Sequence, residues 1–288
     1  MYSKKELRYE FTLSKGNFDT SGNNKLSLGN VKSSFRVGAY GDYGGTQAEI
    51  TIFGLSVERL ASLSGQGVGV FTANANDTTV DVYVGSTKVY SGGIYASYAN
   101  MNGQPETALV LNAIAGLKLK TEAASPFSQP GAIYVYDMLA AFCKVYGLGF
   151  NSPIVNGPTE QNPHYNGSPM DKIRDICDTH NLSYKIFDNV LTVWPKGKAV
   201  DDVVPVVSAK YGLIGYPVFS QYGITFQTQY SPLLAQGRDI ELETSLPNAS
   251  GRYSLSVVEH FLSSWTEGGS WHTVCQGYRK AGGDKNDK

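Results

Sequence analysis

Residues 223–276, GITFQTQYSPLLAQGRDIELETSLPNASGRYSLSVVEHFLSSWTEGGSWHTVCQ, set out the elements of an antiparallel unit in a fixed order. A strand-like run at Ile224–Thr228 precedes a short segment with a serine start, SPLLAQG. Strand-like runs follow at Arg238–Glu243, Tyr253–Phe261 and Ser270–Gln276, separated by Gly, Pro, Asn and Ser. Residues 48–114 repeat that order: a strand at Ala48–Phe53, a short helix with a serine start (SVERLASLSGQG), and strands at Val80–Val84, Lys88–Ser97 and Thr107–Ile114. Laid side by side without gaps, Tyr90–Ser91 falls on Tyr253–Ser254, Ile94 on Val257 and Ala108–Leu111 on Trp271–Val274. Duplication of one unit accounts for this, and so does the similar turn spacing of any two antiparallel β-units.

Working outward, Leu7, Tyr9, Phe11 and Leu13 alternate with Glu6, Arg8, Glu10 and Thr12, the signature of a half-buried strand. The polar stretch Lys15–Asn30 reads as a loop leading to a strand at Val31–Val37, and Gly38–Gly45 as a long glycine-rich connection. In the short helix Ser56 is placed to cap, with Val57, Leu60 and Leu63 on one face. Gly85-Ser86 is a candidate type II′ hairpin turn. Between the two similar regions the texture changes. Val135, Met138, Leu139, Phe142 and Val145 share helical spacing before Gly147, and Ser168, Pro169 and Asp171 form a helix start ahead of Ile173, Ile176, Cys177 and His180. A hairpin follows, Ser183–Phe187 and Val190–Trp194 around Asp188-Asn189. The predicted organisation is a β-rich unit over 1–115, a small α+β insert over 116–200, a second β-rich unit over 201–280 and a disordered tail over 281–288.

Only 17% of the 288 residues are charged, below the usual ~25%, while 32 are glycine and 19 tyrosine. The net charge of -1, with no Lys/Arg run, argues against a basic nucleic-acid protein. Three widely spaced cysteines, Cys143, Cys177 and Cys275, read as reduced, buried thiols. The start MYSKKELRYE lacks an apolar signal core, and no apolar run is long enough to span a bilayer, so cytosolic synthesis and no membrane insertion are expected.

The chemistry-bearing residues do not converge on a site. The four histidines are His164, His180, His260 and His272. Cys177 and His180 lie three apart on one helix face, yet no second pair with metal-ligand spacing exists, so no metal is expected. Cys275 with His260 or His272 would make a nucleophile and base, but Cys275 falls mid-strand, where no thiolate is stabilised. Gly65-x-Gly67-x-Gly69 follows a helix and lacks the Lys-Ser/Thr of a phosphate loop. Glu106, Asp137, Glu160, Asp171 and Glu259 are scattered, without the pairing a glycosidase needs. No cofactor and no catalytic residue are expected.

Several features carry a family resemblance: Gly215-x-Pro217, the apolar strand after Gly223, Pro232-Leu233-Leu234 leading to Gly237, the Ile240/Leu242 strand, Gly251-x-Tyr253 opening a strand to His260, and Gly269-x-Trp271-x-Thr273. In this order, residues 212–273 resemble the last barrel of baseplate hub proteins of contractile-tailed bacteriophages, related in fold to the hub part of type VI secretion spikes. The AEITIFGLSVERLASLS run and the Tyr184/Ile186, Asp-Asn, Leu191/Val193 hairpin resemble the corresponding segments, so the likeness spans most of 1–280. It implies a mainly β (α+β) fold of two related tail-tube-like antiparallel β-barrels with a helix-helix-hairpin insert. It also implies a homotrimer whose six similar units join a hexameric tail tube or tube-initiator protein to a central spike. The tape-measure protein and DNA would pass through the lumen, which should then avoid strong positive charge. A non-enzymatic virion component of the tail baseplate, made in the host cytoplasm, is expected.

Few charges suit a chain whose surface is largely interface. The glycine- and asparagine-rich loops 15–30 and 38–45 are expected to be ordered only against neighbours. The interface residues assigned on that ground are Gly41, Asp42, Tyr43, Gly44 and Gly45. Two other readings stand beside this one: a tail-associated peptidoglycan hydrolase, and a glycan-binding module served by the aromatic surplus.

Overall fold

The computed structural model describes residues 5–18, 21–64, 78–103, 106–153, 157–221 and 223–280, except for the side chains of Asp42 and Tyr43. The glycine series at Gly65, Gly67 and Gly69 and the tail 281–288 lie outside the described residues. Thirteen strands form one sheet. In chain order they are β1 (Leu7–Leu13), β2 (Lys25–Gly29), β3 (Ser33–Ala39), β4 (Thr46–Phe53), β5 (Thr78–Val84), β6 (Thr87–Asn100) and β7 (Ala108–Ile114). After the insert come β8 (Val206–Val207), β9 (Leu213–Ser220), β10 (Gly223–Gln229), β11 (Asp239–Leu242), β12 (Gly251–Ser264) and β13 (Trp271–Arg279). The pairing path is β9-β10-β13-β12-β3-β4-β7-β6-β5-β1-β2, with β11 on β12 and β8 on β11.

That path contains one strand order twice. β3-β4-β7-β6-β5 and β9-β10-β13-β12-β11 follow the same sequence of neighbours. The pairings also correspond. Ile94 opposite Ala113 and Ala96 opposite Asn112 enclose a bulge at Tyr95, as Leu255 opposite Gly277 and Val257 opposite Gln276 enclose one at Ser256. Thr79 opposite Gly93 matches Asp239 opposite Ser254, and Ala48 opposite Ala113 matches Ile224 opposite Gly277. Superposing the bulges places Ile94 on Leu255, a shift of two residues from the gapless alignment that set Ile94 on Val257. An even shift keeps every side chain on its face, which is why the hydrophobic pattern alone did not reveal it.

Alternation drives burial. In β1 Leu7, Tyr9 and Phe11 are buried, in β4 Ala48, Ile50 and Ile52, in β5 Val80 and Val82. The first half curls around this core. The Tyr9 hydroxyl of β1 donates to Ser33 Oγ of β3 at 2.9 Å, and Leu7 N–H donates to Ser264 Oγ of β12 at 3.3 Å. Leu262 of β12 joins the same core. A second core, built from Ile224, Phe226, Ile240, Leu242, Tyr253, Leu255, Val258 and Cys275, fills the other half. No ring of strand pairings closes into a barrel among the described residues; the antiparallel path stays open at β9 and β2.

Residues 117–195 enclose a third core. Helix α1 is the single turn Gly41–Gly44, α2 is Val57–Leu63 and α3 is Leu117–Thr121. Helix α4 (Val135–Val145) buries Val135, Met138, Leu139 and Phe142, and α5 (Pro169–Thr179) buries Ile173, Ile176 and Cys177. The serine start of α5 is a full capping box: Ser168 Oγ accepts from Asp171 N–H at 3.1 Å, and the Asp171 carboxylate accepts from Ser168 N–H at 3.1 Å. Asp188 and Asn189 both take positive φ, 46° and 60°, the turn geometry expected of their hairpin. Gly85 takes φ 59° in a two-residue loop closed by Val84 and Thr87, consistent with type II′.

Some expectations change. Val57 and Val145, placed on apolar helix faces, are exposed, because each sits in a terminal turn beyond the reach of the core. The SPLLAQG segment, expected only as a short segment with a serine start, is built of turns around the buried Leu234. The 15–30 stretch is not all loop. Leu26 and Leu28 make β2, which pairs with β1 from Arg8 opposite Gly29 to Thr12 opposite Lys25, so this part takes its order from its own chain. The 38–45 connection is also closed internally, with Tyr40 N–H donating to Gly45 O and Gly45 N–H to Gly41 O, both at 3.1 Å. The second β-rich unit stays tied down to its expected end at 280, Arg279 closing β13 and Lys280 Nζ lying 2.8 Å from Asp239 Oδ2.

Candidate functional site

Two edges of the sheet stand out. Among the described residues β9 pairs on one side only, with β10, and its other edge has no strand partner. Tyr216, Val218 and Phe219 are 68%, 65% and 53% exposed, and Ile214 is exposed as well. A strand edge this apolar is a ready template for another strand, which soluble proteins ordinarily guard against with charge or cover. β9 has no charged residue. Its guard is Pro217, which lies within the register shift between Ile214 and Val218. The second edge belongs to β6. One side of this strand pairs with β7; the other pairs with β5 only through Thr87–Gly93, leaving Ile94–Asn100 without a strand partner there among the described residues. Tyr98 and the following Met101 are exposed.

The counterpart of that second edge is occupied within the chain. β12 gives one side to β13. On the other, Gly251–Ser254 pair with β11, and Val258–Ser264 pair antiparallel with β3, Val258 opposite Ala39 and Ser264 opposite Ser33. This seven-residue ladder joins the two halves. Arg36 of β3 crosses it, with Nη2 3.4 Å from both Glu259 carboxylate oxygens and its guanidinium 5.4 Å from the Phe261 ring. Burial opposes the Arg36 charge, but Glu259, Tyr40 and Glu49 outweigh it and raise its pKa. Burial, then Glu259, pushes the Tyr40 phenol up to about 12. His260 lies in the same ladder opposite Val37, with Nδ1 2.8 Å from Thr273 Oγ1 and the Tyr230 ring edge-on at 5.1 Å. Burial lowers its pKa to about 4.

The turn that carries Gly41, Asp42, Tyr43, Gly44 and Gly45 sits at the head of that ladder. Gly41 and Gly45 line a recess together with Lys120, Arg174, Lys185 and Gln236, so one side of the turn faces the insert and the second half of its own chain.

The residues weighed for catalysis are dispersed. His180 Nε2 lies 2.9 Å from Glu160 Oε2, which also accepts from the Tyr165 hydroxyl at 2.7 Å; this cluster ties the end of α5 to the short strands Thr159–Gln161 and His164–Tyr165 of the insert. Asp171 caps α5, Asp137 lies in the first turn of α4, Glu106 pairs with Lys32 at 2.6 Å and Glu259 with Arg36. His272 stacks on Phe261, and His164 Nε2 lies 3.2 Å from Asn166 Nδ2. Cys275 is fully buried and burial pushes its thiol well up; burial pushes Cys143 up to about 11. Among the described residues no group of three or more His, Cys, Asp and Glu is placed to hold a metal, and no helix is long and apolar enough to cross a membrane. β9 is the element sequence reasoning missed. Its apolar residues are plain in LIGYPVFS, but Gly215 and Pro217 break the alternation that marks a strand.

No family model matches the sequence, and no curated protein matches it. Solved structures do share its fold. The tail protein from Neisseria meningitidis MC58 superposes with a TM-score of 0.67 at 9% identity, covering 97% of each chain. The 43 kDa tail protein of prophage MuSo2 from Shewanella oneidensis gives 0.66 at 7%, covering 96% of this chain and 97% of that one. Prophage tail protein gp18 from Listeria monocytogenes EGD-e gives 0.52 at 8%, covering 96% of each.

Proposed function

We propose that the chain is a non-enzymatic structural protein of a phage-type tail, acting as the hub between tail tube and central spike of a contractile baseplate. The observation that carries this reading is the doubled strand order, β3-β4-β7-β6-β5 and β9-β10-β13-β12-β11, joined edge to edge through β12 and β3. Each half is then one tube-like barrel unit, and a homotrimer presents six of them, matching a sixfold tube on one side and a threefold spike on the other. The fold shared with three tail proteins supports a tail role. In this reading the units divide at 1–115, 116–200 and 201–280, and Gly41, Asp42, Tyr43, Gly44 and Gly45 contribute to the docking surface. The ring lumen passes the tape-measure protein and DNA, and the protein resides in the virion.

The test is the mass of the purified chain in solution by light scattering. Three times 31.2 kDa is expected. A monomer at all concentrations overturns the ring, and clearing of peptidoglycan by the pure protein overturns the non-enzymatic role.

A further inference from the structure

We propose that copies of this chain join head to tail, the apolar edge of β9 in one copy pairing antiparallel with the stretch of β6 in the next that has no strand partner among the described residues. This deepens the ring reading above and rests on it. The occupant is argued from the chain itself, since the β12–β3 joint is the same junction already made once. β12 corresponds to β6 and β3 to β9 by strand order, register and bulge. What β12 offers to β3, a far edge left open beyond its β11 pairing, β6 offers beyond its β5 pairing. The two surfaces differ, so the contact is heterologous and repeats around a ring. The β-strand addition also covers the exposed aromatic and aliphatic side chains of β9.

The correspondence fixes the register. Superposed bulges place Val258, Glu259, His260 and Phe261 on Ser97, Tyr98, Ala99 and Asn100. Gly38, Val37 and Arg36 fall on Ser220, Phe219 and Val218, through β3–β4 and β9–β10 pairing. The internal pairs Glu259–Gly38, His260–Val37 and Phe261–Arg36 therefore become Tyr98–Ser220, Ala99–Phe219 and Asn100–Val218 between copies. Phe219 then points to the core side next to Ala99, which is partly buried against the first core.

The experiment uses the full chain carrying Tyr98→Cys and Ser220→Cys under mild oxidation, with the unaltered chain as control because its three cysteines are buried. Directly opposed strand residues lie within disulfide reach, and diagonal ones lie beyond it. A covalent ring should form, with at least about fivefold less product from Tyr98→Cys with Val218→Cys. Mixing chains that carry only Tyr98→Cys with chains that carry only Ser220→Cys should give covalent dimers and nothing larger; neither alone should link. Val218→Asp with Phe219→Asp should convert the assembly to monomer with an unchanged circular dichroism melt. A multimer in solution without the Tyr98–Ser220 link, or with equal linking out of register, overturns this joint while leaving the ring. A chain that is monomeric before any substitution overturns both.

Discussion

Acid should loosen the seam that holds the two halves together, and His260 is the group responsible. Its ring is half-buried in β12 between Thr273 and the edge of Tyr230, and that burial takes its pKa from 6.5 to about 4. The folded value lies below the unfolded one, so below pH 6.5 the unfolded chain binds the extra proton. Stability is therefore fully present above pH 6.5 and is lost as the pH falls toward 4. With these two values the loss between pH 8 and pH 5 is about 2 kcal/mol, rising to about 3 kcal/mol once pH 4 is passed. His260→Gln keeps a group able to hydrogen-bond Thr273 but removes the titration. Urea unfolding followed by tryptophan fluorescence is suited to the measurement, since the Trp271 ring packs 5.8 Å from Tyr230, itself against His260. Between pH 8 and pH 5 the parent midpoint should fall more than that of the variant, by on the order of 1 M urea. Every other histidine and carboxylate is common to both proteins and cancels in the difference. Equal shifts in the two would refute the argument that burial holds this ring neutral.

Ser168→Ala removes the cap of α5 and should cost about 1 kcal/mol, read as a lowered Tm, while Ser168→Thr should recover most of it. Gly237 has φ 81°, and a Cβ there would sit 2.5 Å from Cζ2 of the buried Trp194; Gly237→Ala should destabilise by about 1–3 kcal/mol in chemical unfolding. Leu109→Ala, in the fully buried centre of the first core, should cost about 2–5 kcal/mol by the same measurement. Cys143 and Cys275, buried with raised thiol pKa values, should resist a thiol reagent at pH 8 until denaturant is added.

Much of the fold was legible because one face of each strand is buried. β1, β4, β5, β7, β10 and β13 follow clean alternation, and the Ser168 and Asp188-Asn189 signals are local, requiring no tertiary information. β2 was lost because only Leu26 and Leu28 mark it within a polar stretch. β9 was lost because an edge strand with a proline carries little pattern. The sheet edges carry less signal still. Gly41–Gly45 are conspicuous by their glycine content, whereas the edges of β6 and β9 that lack a strand partner among the described residues are defined by what β5 and β10 leave uncovered, a property of pairing that no single segment displays. The duplication was visible as an order of elements, but its register came from the two bulges.

The ladder between β12 and β3 also has a mechanical meaning. Along its seven opposed residue pairs hydrogen-bonded and non-hydrogen-bonded pairs alternate, and the bonds run across the strand axes. Tension along those axes loads every rung at once, so the seam is stiff in shear. Tension at right angles loads the rungs one after another, starting at Ser33 opposite Ser264 or at Ala39 opposite Val258, and the seam peels. The joint is therefore anisotropic: its resistance to being pulled apart depends on the direction of the pull as well as on the number of bonds that join the halves.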